Sequence, residues 1–133
     1  MANSYVTQTR VKRVPGSYLL STLGSLSISP GVPVADVAAA SNARLHALGL
    51  PAIAYTSDLA GRIGHGVGYD PTEPPHVSEQ DPTILEPGMV ISVEPGVATS
   101  FGLFHVEQIV LVTTDGHEVL STAPGELRTI RAD

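Results

Sequence analysis

His65 stands in "GRIGHGVGYDPTEPPH", where four glycines surround one imidazole and an acidic, proline-rich turn follows. Downstream, two glutamates interrupt apolar runs: Glu94 closes "GMVISVEPG", and Glu107 lies within "FHVEQIVLVT". A carboxylate on a buried strand face is costly unless it is paired or bound to a metal. One such glutamate alone reads most simply as an edge-strand residue facing water, with Glu107 paired to His105. Two of them beside a glycine-flanked histidine form a donor set suited to Zn, Mn, Fe or Co.

Composition narrows the alternatives. The chain of 133 residues has no cysteine, so disulfide scaffolds, thiolate metal sites and cysteine nucleophiles are excluded. Its formal charge of −6 carries neither a nucleic-acid nor an anionic-membrane footprint. No apolar run reaches the ~20 residues of a membrane span, and "MANSYVTQTRVKR" lacks the apolar centre of a secretory signal. A cytoplasmic location is expected. Acids are unevenly spread, since Asp36 and Asp58 are the only ones before residue 70.

The elements that must position the candidate donors follow from periodicity. Residues 1–15 show no period and are expected to form a tail, with one domain over 16–133. "SYLLSTLGSLSI" has helical spacing at Leu19, Leu23 and Leu26, weakened by Gly24 and several serines. "VADVAAASNARLHAL" is the clearest helix, with Pro33 at its entry, Asp36 in the first turn and Gly49 at its exit. Val34, Val37, Ser41, Leu45 and Leu48 form its inward stripe. Beyond it the period becomes two. "GMVISVEPG" sets Met89, Ile91 and Val93 against Val90, Ser92 and Glu94, stopped by Pro95. "FHVEQIVLVT" places His105, Glu107, Ile109 and Leu111 on one face, and Asp115-Gly116 predicts a hairpin turn. A helix followed by antiparallel strands defines an α+β class. His46, His76 and His117 read as solvated surface groups, and Asp70 and Glu73 as rim charges.

Three motifs in order, "GHGVGYDPTEPP", "LEPGMVISVEPGV" and "HVEQIVLVTTDGHEVLS", resemble the pita-bread metallopeptidases. That family includes methionine aminopeptidase, Xaa-Pro aminopeptidase, prolidase and creatinase, and the likeness is greatest to the Xaa-Pro peptidase and creatinase side. It implies helices packed on a curved antiparallel sheet. It further implies His65, Glu94 and Glu107 as metal ligands, Glu94 also as general base and Glu107 as the carboxylate bridging two ions. The implied cofactor is a divalent metal (Mn, Co, Zn or Fe), two ions in the complete site. The implied substrate is a peptide or a small molecule with a scissile C–N bond.

Three departures qualify the resemblance. The Xaa-Pro enzymes carry a second histidine seven residues after the ligand histidine, where this chain has Thr72. Their arginine two residues before the last ligand is His105 here. Thr72 and His105 are therefore the expected substrate-binding positions. The family's two aspartate ligands precede its helical stretch, and neither Asp36 nor Asp58 fits them. The chain thus reads as the C-terminal half of the fold, with three of five ligands and a truncated or unrelated start. A homodimer or a complementing N-terminal half is the expected partner. Three functions follow: an incomplete metallohydrolase domain with little activity alone, an inactive module that binds peptide or protein, or a small single-metal β-domain.

Overall fold

A computed structural model describes residues 27–50, 62–99 and 102–121, with side chains at 99 and 102–105 excepted. The expected tail at 1–15 lies outside the described residues. So does nearly all of the first expected helix, and its last two residues, Ser27 and Ile28, are not helical. Among the described residues one helix, α1 (Val34–Ala47), precedes seven strands: β1 (Gly64–Gly66), β2 (Glu73–His76), β3 (Val90–Val93), β4 (Gly96–Thr99), β5 (Gly102–His105), β6 (Gln108–Val112) and β7 (His117–Val119). The class is α+β, as the change of period implied.

Local sequence accounts for both ends of α1. Pro33 supplies the fixed φ of the entry and has no side chain to cap with, so backbone bonds take over. Val34 N–H donates to Thr83 O at 2.9 Å, while Gly31 and Leu85 N–H donate to Leu85 and Val32 O. This short ladder ties the helix entry to the segment before β3. At the exit Gly49 adopts φ +69°, which a side chain would disfavour. Gly49 N–H then reaches His46 O, Leu50 N–H reaches Leu45 O, and Leu50 packs on Leu45. Both bonds and the apolar contact make a Schellman stop.

Val34, Val37, Ala38, Ser41 and Leu45 form the buried stripe of α1. The core combines Val34, Val37 and Ala38 with Ile91 and Val93 of β3 and Val110 and Val112 of β6. The main sheet is antiparallel in the order β2-β1-β3-β6-β7, and β4 and β5 pair separately. Ile91, Ser92 and Val93 are all buried, so central strand β3 is covered on both faces rather than on the single apolar face its alternation implied.

Two sequence expectations are corrected here. "FHVEQIVLVT" is not one strand: β5 ends at His105, β6 begins at Gln108, and Val106 and Glu107 lie between them. The β6–β7 hairpin has Thr114 and Asp115 at its tip, because Thr113 N–H donates to Gly116 O and Gly116 lacks positive φ. The turn thus falls one residue earlier than Asp-Gly chemistry predicted.

The loop between β2 and β3 is held by Asp81. Its Oδ2 accepts His76 N–H at 2.7 Å, and its Oδ1 accepts Thr83 N–H at 2.9 Å and the Thr83 hydroxyl. Burial alone would raise this carboxyl, but the Thr83 and His76 hydrogen bonds and the nearby His76 charge outweigh it and hold the carboxyl below its ordinary 3.8. A depressed folded value means the carboxylate's stabilisation is fully present above the ordinary value. It is lost as pH falls through the lowered one. Asp81→Ala is expected to cost about 2 kcal/mol at neutral pH. Urea unfolding between pH 3 and 7 checks this: the variant should lose part of the wild-type chain's acid-side decline.

Candidate metal centre

β1 carries His65 between two glycines, and both glycines are required by close approach. A Cβ on Gly64 would lie 2.0 Å from Ser92 O, and one on Gly66 would lie 2.2 Å from Pro74 O. The imidazole is buried, with 8% of the residue exposed. Its Nδ1 lies 2.9 Å from Gly66 O, a distance that places the proton on Nδ1. Nε2 is then a lone-pair donor, and it faces Glu94 Oε1 at 3.4 Å.

The two glutamates meet through register. β3 pairs with β6 with Val93 opposite Gln108, and β4 pairs with β5 with Gly96 opposite His105. Both pairings belong to one long hairpin whose count is unbroken, so Glu94 and Glu107 fall opposite each other between its two ladders. Period two does the rest. His65 is opposite Ser92, and Glu94, two residues after Ser92, shares that face. His65, Glu94 and Glu107 each offer one ligand atom, all within 4.8 Å of one another. Glu94 is half-buried and Glu107 exposed.

Like charges directly opposite on a sheet repel. Two carboxylates so placed, with an imidazole lone pair beside them, form an arrangement that a cation would relieve. The donor chemistry fits a divalent ion. Two ligand atoms about 2.1 Å from a tetrahedral centre are about 3.4 Å apart, the separation of His65 Nε2 and Glu94 Oε1.

The other sequence-derived positions do not join them. Thr72 is exposed in the bend between β1 and β2. His105 contributes its backbone to the pairing with Gly96, and its side chain lies outside the described residues. Asp36 is exposed on α1, and Asp58 lies outside the described residues. His46 and His117 are exposed as expected, although His117 Nδ1 approaches Ile28 O at 2.9 Å. His76 differs from expectation. It is a half-buried residue of β2, opposite His65, rather than a solvated group in a turn. Sequence reading also passed over Ser92, fully buried at the centre of the sheet with its hydroxyl unpartnered among the described residues. The alternation of "VISVE" was the available signal, since it puts Ser92 on the face of Glu94.

Comparison with known proteins agrees with this fold. The model of metallopeptidase family M24 matches residues 22–114, and the chain belongs to that family. It is 32% identical to an uncharacterized peptidase of Bacillus subtilis over 106 residues, 79% of this chain and 29% of that protein. It is 41% identical to the Xaa-Pro dipeptidase of Pyrococcus horikoshii over 66 residues, 49% of this chain and 19% of the relative. Among solved structures, the Xaa-Pro dipeptidase from Bacillus anthracis superposes with a TM-score of 0.74 at 27% identity, covering 92% of this chain and 34% of that one. The architecture is therefore that of the pita-bread prolidases and aminopeptidases. The chain spans less than a third of the length of the curated relatives it matches. No helix among the described residues is long and apolar enough to cross a membrane.

Proposed function

We propose that this chain is the part of a cytoplasmic M24 hydrolase that holds three ligands of a divalent-metal site, in a partial pita-bread domain over residues 16–133. The convergence of His65 Nε2, Glu94 and Glu107 within 4.8 Å is the observation that carries the proposal. The substrate class is a peptide, an Xaa-Pro peptide first, or a small molecule with a scissile C–N bond. The similarity to the Xaa-Pro dipeptidase of Pyrococcus horikoshii supports this class.

Each residue has a distinct task in this proposal. His65, with its proton held at Nδ1 by Gly66 O, offers a fixed lone pair. Glu107, exposed between the two ladders of the hairpin, would offer a second carboxylate, in the bridging role that the family resemblance implies. Glu94 lies deeper and has a second oxygen with which to take a proton from the attacking water. A bound divalent ion, Mn, Co, Zn or Fe, would supply Lewis acidity and lower the pKa of that water. Two ions carry four positive charges, which two carboxylates and a neutral imidazole do not offset. Further carboxylates beyond this ligand set would be needed to complete a two-ion site. A second reading, an inactive module that binds peptide or protein, is favoured by the exposed Thr72 and by the poor placement of Asp36.

Calorimetry with Mn, Co and Zn, followed by an Xaa-Pro turnover assay, tests the proposal. The expected result is at most one weakly bound ion and no appreciable turnover by the chain alone. Adding the N-terminal part of the Bacillus anthracis enzyme should tighten metal binding. Two tightly bound ions, with turnover abolished by Glu94→Gln, would instead establish a complete site within these residues. No binding with or without the added part would favour the inactive module.

A further inference from the structure

His65 has a neighbour on each side in the sheet, and the one on β2 is a second imidazole. His76 is opposite His65 at the rung just before the β1–β2 register breaks between His65 and Gly66, and Ser92 is opposite His65 on β3. Directly opposed residues of antiparallel strands share a face, with Cβ atoms about 4.5–5.5 Å apart. His76 therefore projects from the face on which His65 meets Glu94.

The two rings are held in opposite senses. His65 carries its proton on Nδ1, against Gly66 O, and turns a lone pair toward Glu94. His76 Nδ1 is buried and has no hydrogen-bond partner among the described residues. An orphaned buried N–H is rarer and more costly than an unfilled lone pair. In its neutral form the His76 ring therefore places its proton on Nε2, at the opposite end. Asp81 bonds the backbone N–H of His76, which fixes the strand end without occupying that ring donor. One imidazole offers a lone pair and its neighbour offers an N–H.

We infer that His76 is a substrate-binding residue of the cleft, its Nε2–H donating to a carbonyl or carboxylate oxygen of a peptide that lies across His65. This deepens the peptidase reading and rests on it. Thr72, the position expected from the resemblance, is exposed in the bend beyond Gly68.

The test uses the full chain, zinc and the dipeptide Ala-Pro. Nitrogen-15 spectra of the metal-free protein should show His76 protonated at Nε2 and His65 at Nδ1. Adding Ala-Pro should shift the His76 Nε2 resonance, a readout that needs no variant. His76→Ala should weaken Ala-Pro binding at least tenfold and leave zinc affinity within twofold, and His76→Gln, which keeps an amide donor, should recover most of the loss. A His76 proton found on Nδ1, unchanged Ala-Pro affinity in His76→Ala, or no Ala-Pro binding by the wild-type chain would each overturn the inference. Failure of the metal reading looks different. Zinc would not bind, while any Ala-Pro binding would still depend on His76.

Discussion

Gly64→Ala is expected to cost about 3–5 kcal/mol, enough to unfold much of the population of a domain whose total stability is of order 5–15 kcal/mol. The added methyl would lie 2.0 Å from Ser92 O and 3.3 Å from Val77 Cγ2. The oxygen belongs to backbone, so no rotamer change can relieve the clash. β1 would have to separate from β3 at the two rungs where Gly64 opposes Val93 and His65 opposes Ser92. Stability and the candidate site should therefore fail together. Gly116→Ala is the control: its Cβ would meet nothing within 4 Å, and Gly116 has no positive φ. That change should stay within about 0.5 kcal/mol. Thermal unfolding of the two variants decides the matter. A Gly64→Ala midpoint near that of Gly116→Ala would show that β1 and β3 do not approach so closely.

Gly64 also shows what a sequence can and cannot disclose. The glycines around His65 announce close packing, but not whether a metal, a substrate or a neighbouring strand does the packing. For Gly64 the neighbour is Ser92 O, and for Gly66 it is Pro74 O. Helix α1 was legible at both ends, because Pro33, the stripe through Val34, Val37, Ser41 and Leu45, and Gly49 are local signals that agree. Leu48, expected in that stripe, is instead the half-buried residue that ends the helix. The pairing of Glu94 with Glu107 was legible only as period two on separate strands. Their exact opposition depends on the unbroken count from Val93–Gln108 to Gly96–His105, which is a tertiary fact. The break at Val106–Glu107 was hidden for the same reason: alternation continues through it while the hydrogen-bond partner changes. His76 was missed because a Pro-rich segment weakens a strand assignment, and β2 forms where the sequence signals a turn.

Glu107→Gln should move metal affinity and metal-free stability in opposite directions. Glu94 and Glu107 present carboxylate oxygens within 4.8 Å of each other, and Glu107 is exposed. Two unit charges at that distance repel by roughly 1 kcal/mol where the effective dielectric is near that of water. Replacing one charge by a neutral amide of similar shape removes the repulsion and keeps the packing. The metal-free variant is thus expected to be more stable than the wild-type chain by about 0.5–1 kcal/mol at neutral pH. The amide is also a poor ligand for a hard cation, so zinc affinity should fall by roughly 100-fold or more. A carboxylate kept for an ordinary ion pair would behave otherwise, because its loss would lower stability. Urea unfolding with and without a chelator, beside zinc calorimetry, measures both terms on the same protein. Lower stability of the metal-free variant, or zinc affinity within threefold of the wild-type value, would mean that Glu107 serves the fold rather than a metal. If the two effects take opposite signs, a cation is what the hairpin is built to face.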